Sequence, residues 1–154
     1  MFKRLVVPAV TALISFALLV IAGHRTAVRA DSGCGPSTIA NTYGFALNGL
    51  VNFSPNGQPQ PIGDFIPLAA AGTFSFDGRS NVSRSFTVSV GGAVFPVTDT
   101  GTYTMSSNCT GSAVFADAGE TWDLVVVSGG KEIKTTIATP GRVLAGTLTR
   151  QTEE

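Results

Sequence analysis

The sequence predicts an all-β domain, an eight-stranded antiparallel up-and-down barrel with a β-sandwich as the alternative. Three observations carry that prediction. Apolar and small polar residues alternate with period two in one segment after another, the mark of strands with one buried face. Gly, Pro, Asn and Asp interrupt these segments at short intervals, so the connections are mostly hairpin turns. Beyond Ala30 no stretch has helical periodicity. A barrel is preferred because closing a meander removes its exposed edges. An immunoglobulin-type sandwich is disfavoured because Trp122 follows both cysteines instead of lying between them.

The elements follow in order. Asp31 to Asn41 is a polar lead-in broken by Gly33, Gly35 and Pro36, with no element expected there. The domain proper runs over 42–150. Its first strand carries Tyr43, Phe45, Leu47, Val51 and Phe53 on one parity and bends at Gly49. Ser54 to Asp64, with three prolines and two glycines, is the longest irregular connection in the domain and a candidate functional loop. The second strand, Phe65 to Phe76, ends in the turn Asp77-Gly78-Arg79-Ser80-Asn81. That turn resembles a calcium loop only in passing, since the alternating acidic ligands and distal glutamate are missing.

The third and fourth strands are folded over Gly91-Gly92. A two-residue turn there makes Val90 and Ala93 the closing pair and sets Arg84 opposite Asp99, the only charges on the apolar parity of this hairpin. Thr110 to Ala116 is the fifth strand and Thr121 to Ser128 the sixth. A second tight turn at Gly129-Gly130 then sets Trp122 against Ile137 and Val126 against Ile133. Pro140-Gly141 ends the seventh strand; Arg142 to Arg150 is the eighth, with Leu144 and Leu148 inward, and 151–154 is a polar tail.

Ahead of the domain, Met1 to Ala30 reads as a helical signal peptide. Lys3 and Arg4 precede an apolar run from Leu5 to Ala22, and Val28-Arg29-Ala30 is a small-x-small cleavage site. An uncleaved membrane anchor is the alternative, because the run is long for a signal. Cleavage is favoured because Pro8, Thr11 and Ser15 dilute it. Export to the periplasm or the medium follows from the signal. An outer-membrane barrel, apolar face toward lipid, is disfavoured: small Ser and Thr side chains would scarcely fill its lumen, and the chain lacks a terminal aromatic.

The signal removes Lys3, Arg4, Arg25 and Arg29, so ten basic residues fall to six against ten acidic ones, a net charge of −4. Without a basic stripe, nucleic acid is excluded as a partner. His24 is the only histidine and leaves with the signal, which excludes histidine-based triads. Cys34 and Cys109 are the only cysteines, and in an oxidising compartment they pair as a disulfide contributing roughly 4 kcal/mol by chain entropy. Their spacing does not suit a redox pair, and no histidine completes a metal site.

The tokens Tyr43-Gly44-Phe45, Gly72-Thr73-Phe74-Ser75-Phe76-Asp77-Gly78, Asn81-Val82-Ser83, Gly101-Thr102-Tyr103-Thr104 and Asn108-Cys109-Thr110-Gly111 resemble a group of uncharacterised exported bacterial barrel proteins. At fold level the pattern is similar to lipocalin-like and allene-oxide-cyclase-like barrels. That resemblance implies a cavity for an apolar molecule and supplies no catalytic residues.

Lumen candidates are Arg84, Asp99 and Tyr103 with the aromatics Phe86, Phe95 and Trp122. Arg84 and Asp99 either neutralise each other, as buried charges must, or present a grip for a ligand carboxylate or hydroxyl, to which Tyr103 adds a phenol. The aromatics either pack the core or contact a ligand. The expected function is therefore an exported, non-catalytic barrel binding a small apolar or amphipathic molecule in its lumen. A cofactor-free cyclase or isomerase in the same lumen and an interaction module with a filled interior are the alternatives. No cofactor and no metal are expected, no membrane association is expected after signal cleavage, and the oligomeric state is left open.

Overall fold

A computed structural model describes residues 33–53 and 63–152. The expected signal, most of the connection from Ser54 to Asp64 and the last residues of the tail lie outside the described residues. The eight strands are β1 (Thr42–Val51), β2 (Ile66–Phe76), β3 (Asn81–Val90), β4 (Ala93–Met105), β5 (Thr110–Phe115), β6 (Glu120–Val127), β7 (Glu132–Ile137) and β8 (Arg142–Arg150). Each pairs antiparallel with the next, and β8 pairs back onto β1, closing an up-and-down barrel. The sandwich alternative falls with that closure.

Alternation decides which face is inside. Tyr43, Phe45, Phe74, Trp122, Ile133 and Leu148 are all buried, whereas the intervening Ser and Thr positions face out. The apolar parity thus points to the barrel interior. Among the described residues no helix is long and apolar enough to cross a membrane.

The Gly91-Gly92 turn has φ of 55° and 91°, a left-handed pair that only glycine adopts without strain, and it fixes Val90 opposite Ala93 and Arg84 opposite Asp99. The second hairpin keeps the expected register, Trp122 on Ile137 and Val126 on Ile133. Its turn is a short 3-10 segment, Ser128–Gly130. The Asp77 turn closes as an Asx motif: Asp77 Oδ1 accepts the backbone N–H groups of Arg79, Ser80 and Asn81. These bonds hold the exposed carboxyl down at about 2.

Gly72 marks a close approach. A Cβ there would sit 2.2 Å from the Ser85 carbonyl oxygen. The vacancy lets Phe45 on β1 and Phe86 on β3 meet edge to face across β2, with centroids 5.6 Å apart.

One end of the barrel is plugged. Pro36–Ile39 forms a 3-10 turn, where no element is expected from so broken a sequence, and Ile39 is fully buried. Polar bonds hold this stretch over the buried isoleucine. Tyr103 donates its hydroxyl to the Pro36 carbonyl at 3.0 Å, and Arg150 donates to the Thr38 carbonyl at 3.2 Å. The disulfide Cys34–Cys109, with Cα atoms 4.8 Å apart, ties the plug to the β4–β5 turn.

Candidate functional site

Above the plug the interior is packed with rings: Tyr43, Phe74, Phe76, Phe115 and Trp122 contact one another or their neighbours at centroid separations of about 5 to 6 Å. Toward the other end the inward side chains become smaller, with Ala70, Val88, Val90 and Val97 in place of rings. Filling stops there. A half-open cavity of about 230 Å³ remains, a cup whose wall includes Leu47, Leu68, Phe86 and Leu144. A larger depression near Asp77 and Thr100 lies on the outer wall and is a shallow surface hollow.

A row of four charges crosses the boundary between the packed half and the cup. Arg84, 2% exposed, donates to Asp99 Oδ2 from Nε at 3.2 Å and from Nη2 at 2.6 Å. Its Nη1 donates to Glu120 Oε2 at 2.6 Å. That oxygen also accepts the indole N–H of Trp122 at 2.9 Å, and Glu120 Oε1 accepts Nη1 of Arg142. The Arg84 guanidinium stacks 3.7 Å from the Phe115 ring centroid, so its flat faces are covered by aromatic carbon as well.

Burial pushes the Glu120 carboxyl up, but the facing Arg84 and Arg142 charges and the bonds from Trp122 and Arg84 outweigh it and leave it below its ordinary value. Glu120 is therefore a buried carboxylate that stays ionised. Tyr103 shifts upward, first through burial and then through the Asp77 carboxylate.

The six lumen candidates separate. Arg84 and Asp99 are opposed and inward, as the hairpin register requires. Arg84, Phe86 and Trp122 line the cup; Asp99 does not. Tyr103 points inward but serves the plugged end, bonded to Pro36, so it adds no hydroxyl to the cup. Phe95 must be corrected: it is 51% exposed and is not part of the cup wall. The reason is the shortness of β5. Only Thr102–Met105 of β4 pairs with β5, so β4 overhangs β5 from Ala93 to Gly101, and Phe95, paired with Val88 of β3 on one side, has no β5 residue beside it on the other.

Glu120 and Arg142 were not among the expected site residues. Parity could have found both. Glu120 precedes Trp122 by two and Arg142 precedes Leu144 by two, so each shares the inward face of its strand. Among the described residues no cluster of His, Cys, Asp and Glu could hold a metal ion.

The fold and the cup define a class, a closed eight-stranded barrel with one half-open apolar cavity and an ion-pair row at its floor. Comparison with protein-family models, curated proteins and solved structures returns no match to the chain.

Proposed function

We propose that this protein is an exported, non-catalytic barrel that binds one small, largely apolar molecule in the cup. The observation that carries the reading is the cup itself: about 230 Å³ of unfilled space, apolar apart from Arg84, Glu120 and Arg142 on its wall. An apolar cavity of roughly 150 Å³ suffices for benzene, and drug-sized sites begin near roughly 300 Å³, so the occupant is a single-ring or short branched molecule. The Cys34–Cys109 disulfide supports an oxidising location, and with it the expected export. The likeness to small exported bacterial barrels belongs to the same proposal.

A cyclase or isomerase ranks second because it needs a free base. Both oxygens of Glu120, the one carboxylate on the cup wall among the described residues, accept bonds from Arg84, Trp122 or Arg142, and the group is held ionised below the range useful near neutrality. A module with a wholly filled interior fits the plugged end but not the cup.

The test is a toluene titration followed through the methyl resonances of Leu47, Leu68, Val88 and Leu144. Binding should shift these methyls and leave Ile39 at the plug unmoved. An Ala70→Phe variant, which fills the cup, should lose the response. Unshifted methyls at saturating toluene would refute the reading.

A further inference from the structure

The charged groups lining the cup are Arg84, Arg142 and Glu120, two cations against one anion, while Asp99 is engaged by Arg84 and does not line the cavity. With Asp99 behind Arg84 the row of four charges is neutral overall, so what the cup presents to a ligand is set by which lining groups still have free hydrogen-bonding capacity.

Arg84 spends three N–H groups on Asp99 and Glu120. Glu120 has both oxygens occupied by donors, so it offers little to a ligand's own N–H or O–H. Arg142 is different. A guanidinium has five N–H donors; among the described residues one bond joins Arg142 to Glu120, and its buried Nε–H has no hydrogen-bond partner. Asp99 Oδ1 is also buried without a partner among the described residues, but Asp99 is not part of the cup lining; what the lining lacks is a free acceptor, and what it holds in surplus is donors at Arg142. A guanidinium met along its Nε edge is the fork that receives a carboxylate with two parallel bonds.

We infer that the cup takes a small monocarboxylic acid, with its ring or branched chain among Leu47, Leu68, Val88 and Leu144 and its carboxylate on Arg142. This rests on the cup being a ligand site and adds the headgroup. Arg84, the residue singled out by the hairpin register, is a positioning residue here: it holds Glu120, and Glu120 aims Arg142.

The experiment compares benzoate, toluene and benzylamine, three probes of one ring size, titrated at neutral pH by calorimetry into the purified protein and its Arg142→Met variant. Charge-assisted bonds to a carboxylate are expected to make benzoate roughly ten- to hundredfold tighter than toluene on the wild type, with benzylamine weakest. Arg142→Met should bring the affinity for benzoate down to that for toluene. Acetate, which has the headgroup without the ring, should not bind at the concentrations used.

Equal affinity for benzoate and toluene, or tightest binding of benzylamine, overturns the headgroup inference while leaving the cup as an apolar site. Failure of all three ring probes overturns both readings. Should Arg142→Met not fold, the wild type still decides, because the Arg142 Nε–H resonance must shift on adding benzoate and stay put on adding toluene.

Discussion

Glu120→Gln removes one negative charge from between two arginines and changes almost no volume. Three hydrogen bonds end on the carboxylate, from Arg84, Trp122 and Arg142. Bonds to a charged group contribute about 1.5–3 kcal/mol each. The amide oxygen of glutamine can still accept one or two of them, but its NH₂ group then confronts a guanidinium. Arg84 keeps Asp99, whereas Arg142 loses its only ion-pair partner among the described residues. Breaking a buried pair by removing one member costs about 3–5 kcal/mol, and the amide oxygen keeps one or two of the bonds, so a loss of about 2–4 kcal/mol is expected. Urea denaturation followed by Trp122 fluorescence measures it. The pH dependence adds a second, sign-specific check. Glu120 is lowered from 4.5, so its contribution is complete above about that pH and is lost as the pH falls through the lower folded-state value. The wild type should therefore lose stability below pH 4.5 through an arm that Glu120→Gln lacks. A variant within about 0.5 kcal/mol of the wild type, or one with an unchanged acid limb, would refute the account of Glu120 as the centre of the row.

Gly72→Val should destabilise the barrel by about 3 kcal/mol, because the new side chain meets the Ser85 carbonyl and the Phe86 backbone, which are not free to move; a urea midpoint equal to wild type would contradict this. Replacing both Cys34 and Cys109 by Ser opens a loop of 75 residues and should cost about 4 kcal/mol in a thermal or urea melt, with hydrogen exchange rising first around Ile39; uniform exchange across the barrel would argue against a local plug. The Asp77 carboxyl should titrate near pH 2 by carbon-detected NMR, its stabilising contribution being present above 3.8 and lost toward 2; a midpoint near 3.8 would mean that the turn does not hold its three backbone bonds.

What the sequence made legible was whatever follows from period two and tight turns. A two-residue glycine turn leaves one register, and one register put Arg84 opposite Asp99. The row's other half was legible in principle, since Glu120 and Arg142 carry the inward parity of Trp122 and Leu144, but each stands at the first residue of its strand, where boundary uncertainty blurs parity. The plug was not legible: Ile39 is the one large aliphatic residue in a short segment of Gly, Pro, Ser and Thr, and no periodicity marks a residue buried by tertiary contact alone. Phe95 failed for the opposite reason. Its parity is right, but parity says which way a side chain points and not whether a neighbouring strand reaches that far.

The β4 overhang also explains a residue that otherwise argues against a strand. With Val90 and Ala93 as the closing pair of a two-residue turn, odd-numbered residues of β4 such as Phe95, Val97 and Asp99 exchange backbone bonds with β3. Pro96 lies between them, so its backbone nitrogen is directed away from β3, toward the side where β5 has not yet begun. A proline there interrupts no ladder bond and deletes one donor from an open edge, a position where proline is tolerated and discourages pairing with a second chain. Closure through β8 and β1 removes the edges that a meander would leave, yet the short β5 opens a new one on β4, and Pro96 sits in it. The same shortness keeps β5 from supplying side chains at the open end, where Ala118 of the β5–β6 turn lines the cup. One short strand thus accounts for the exposed Phe95 and the tolerated Pro96, and contributes to the room left in the cup.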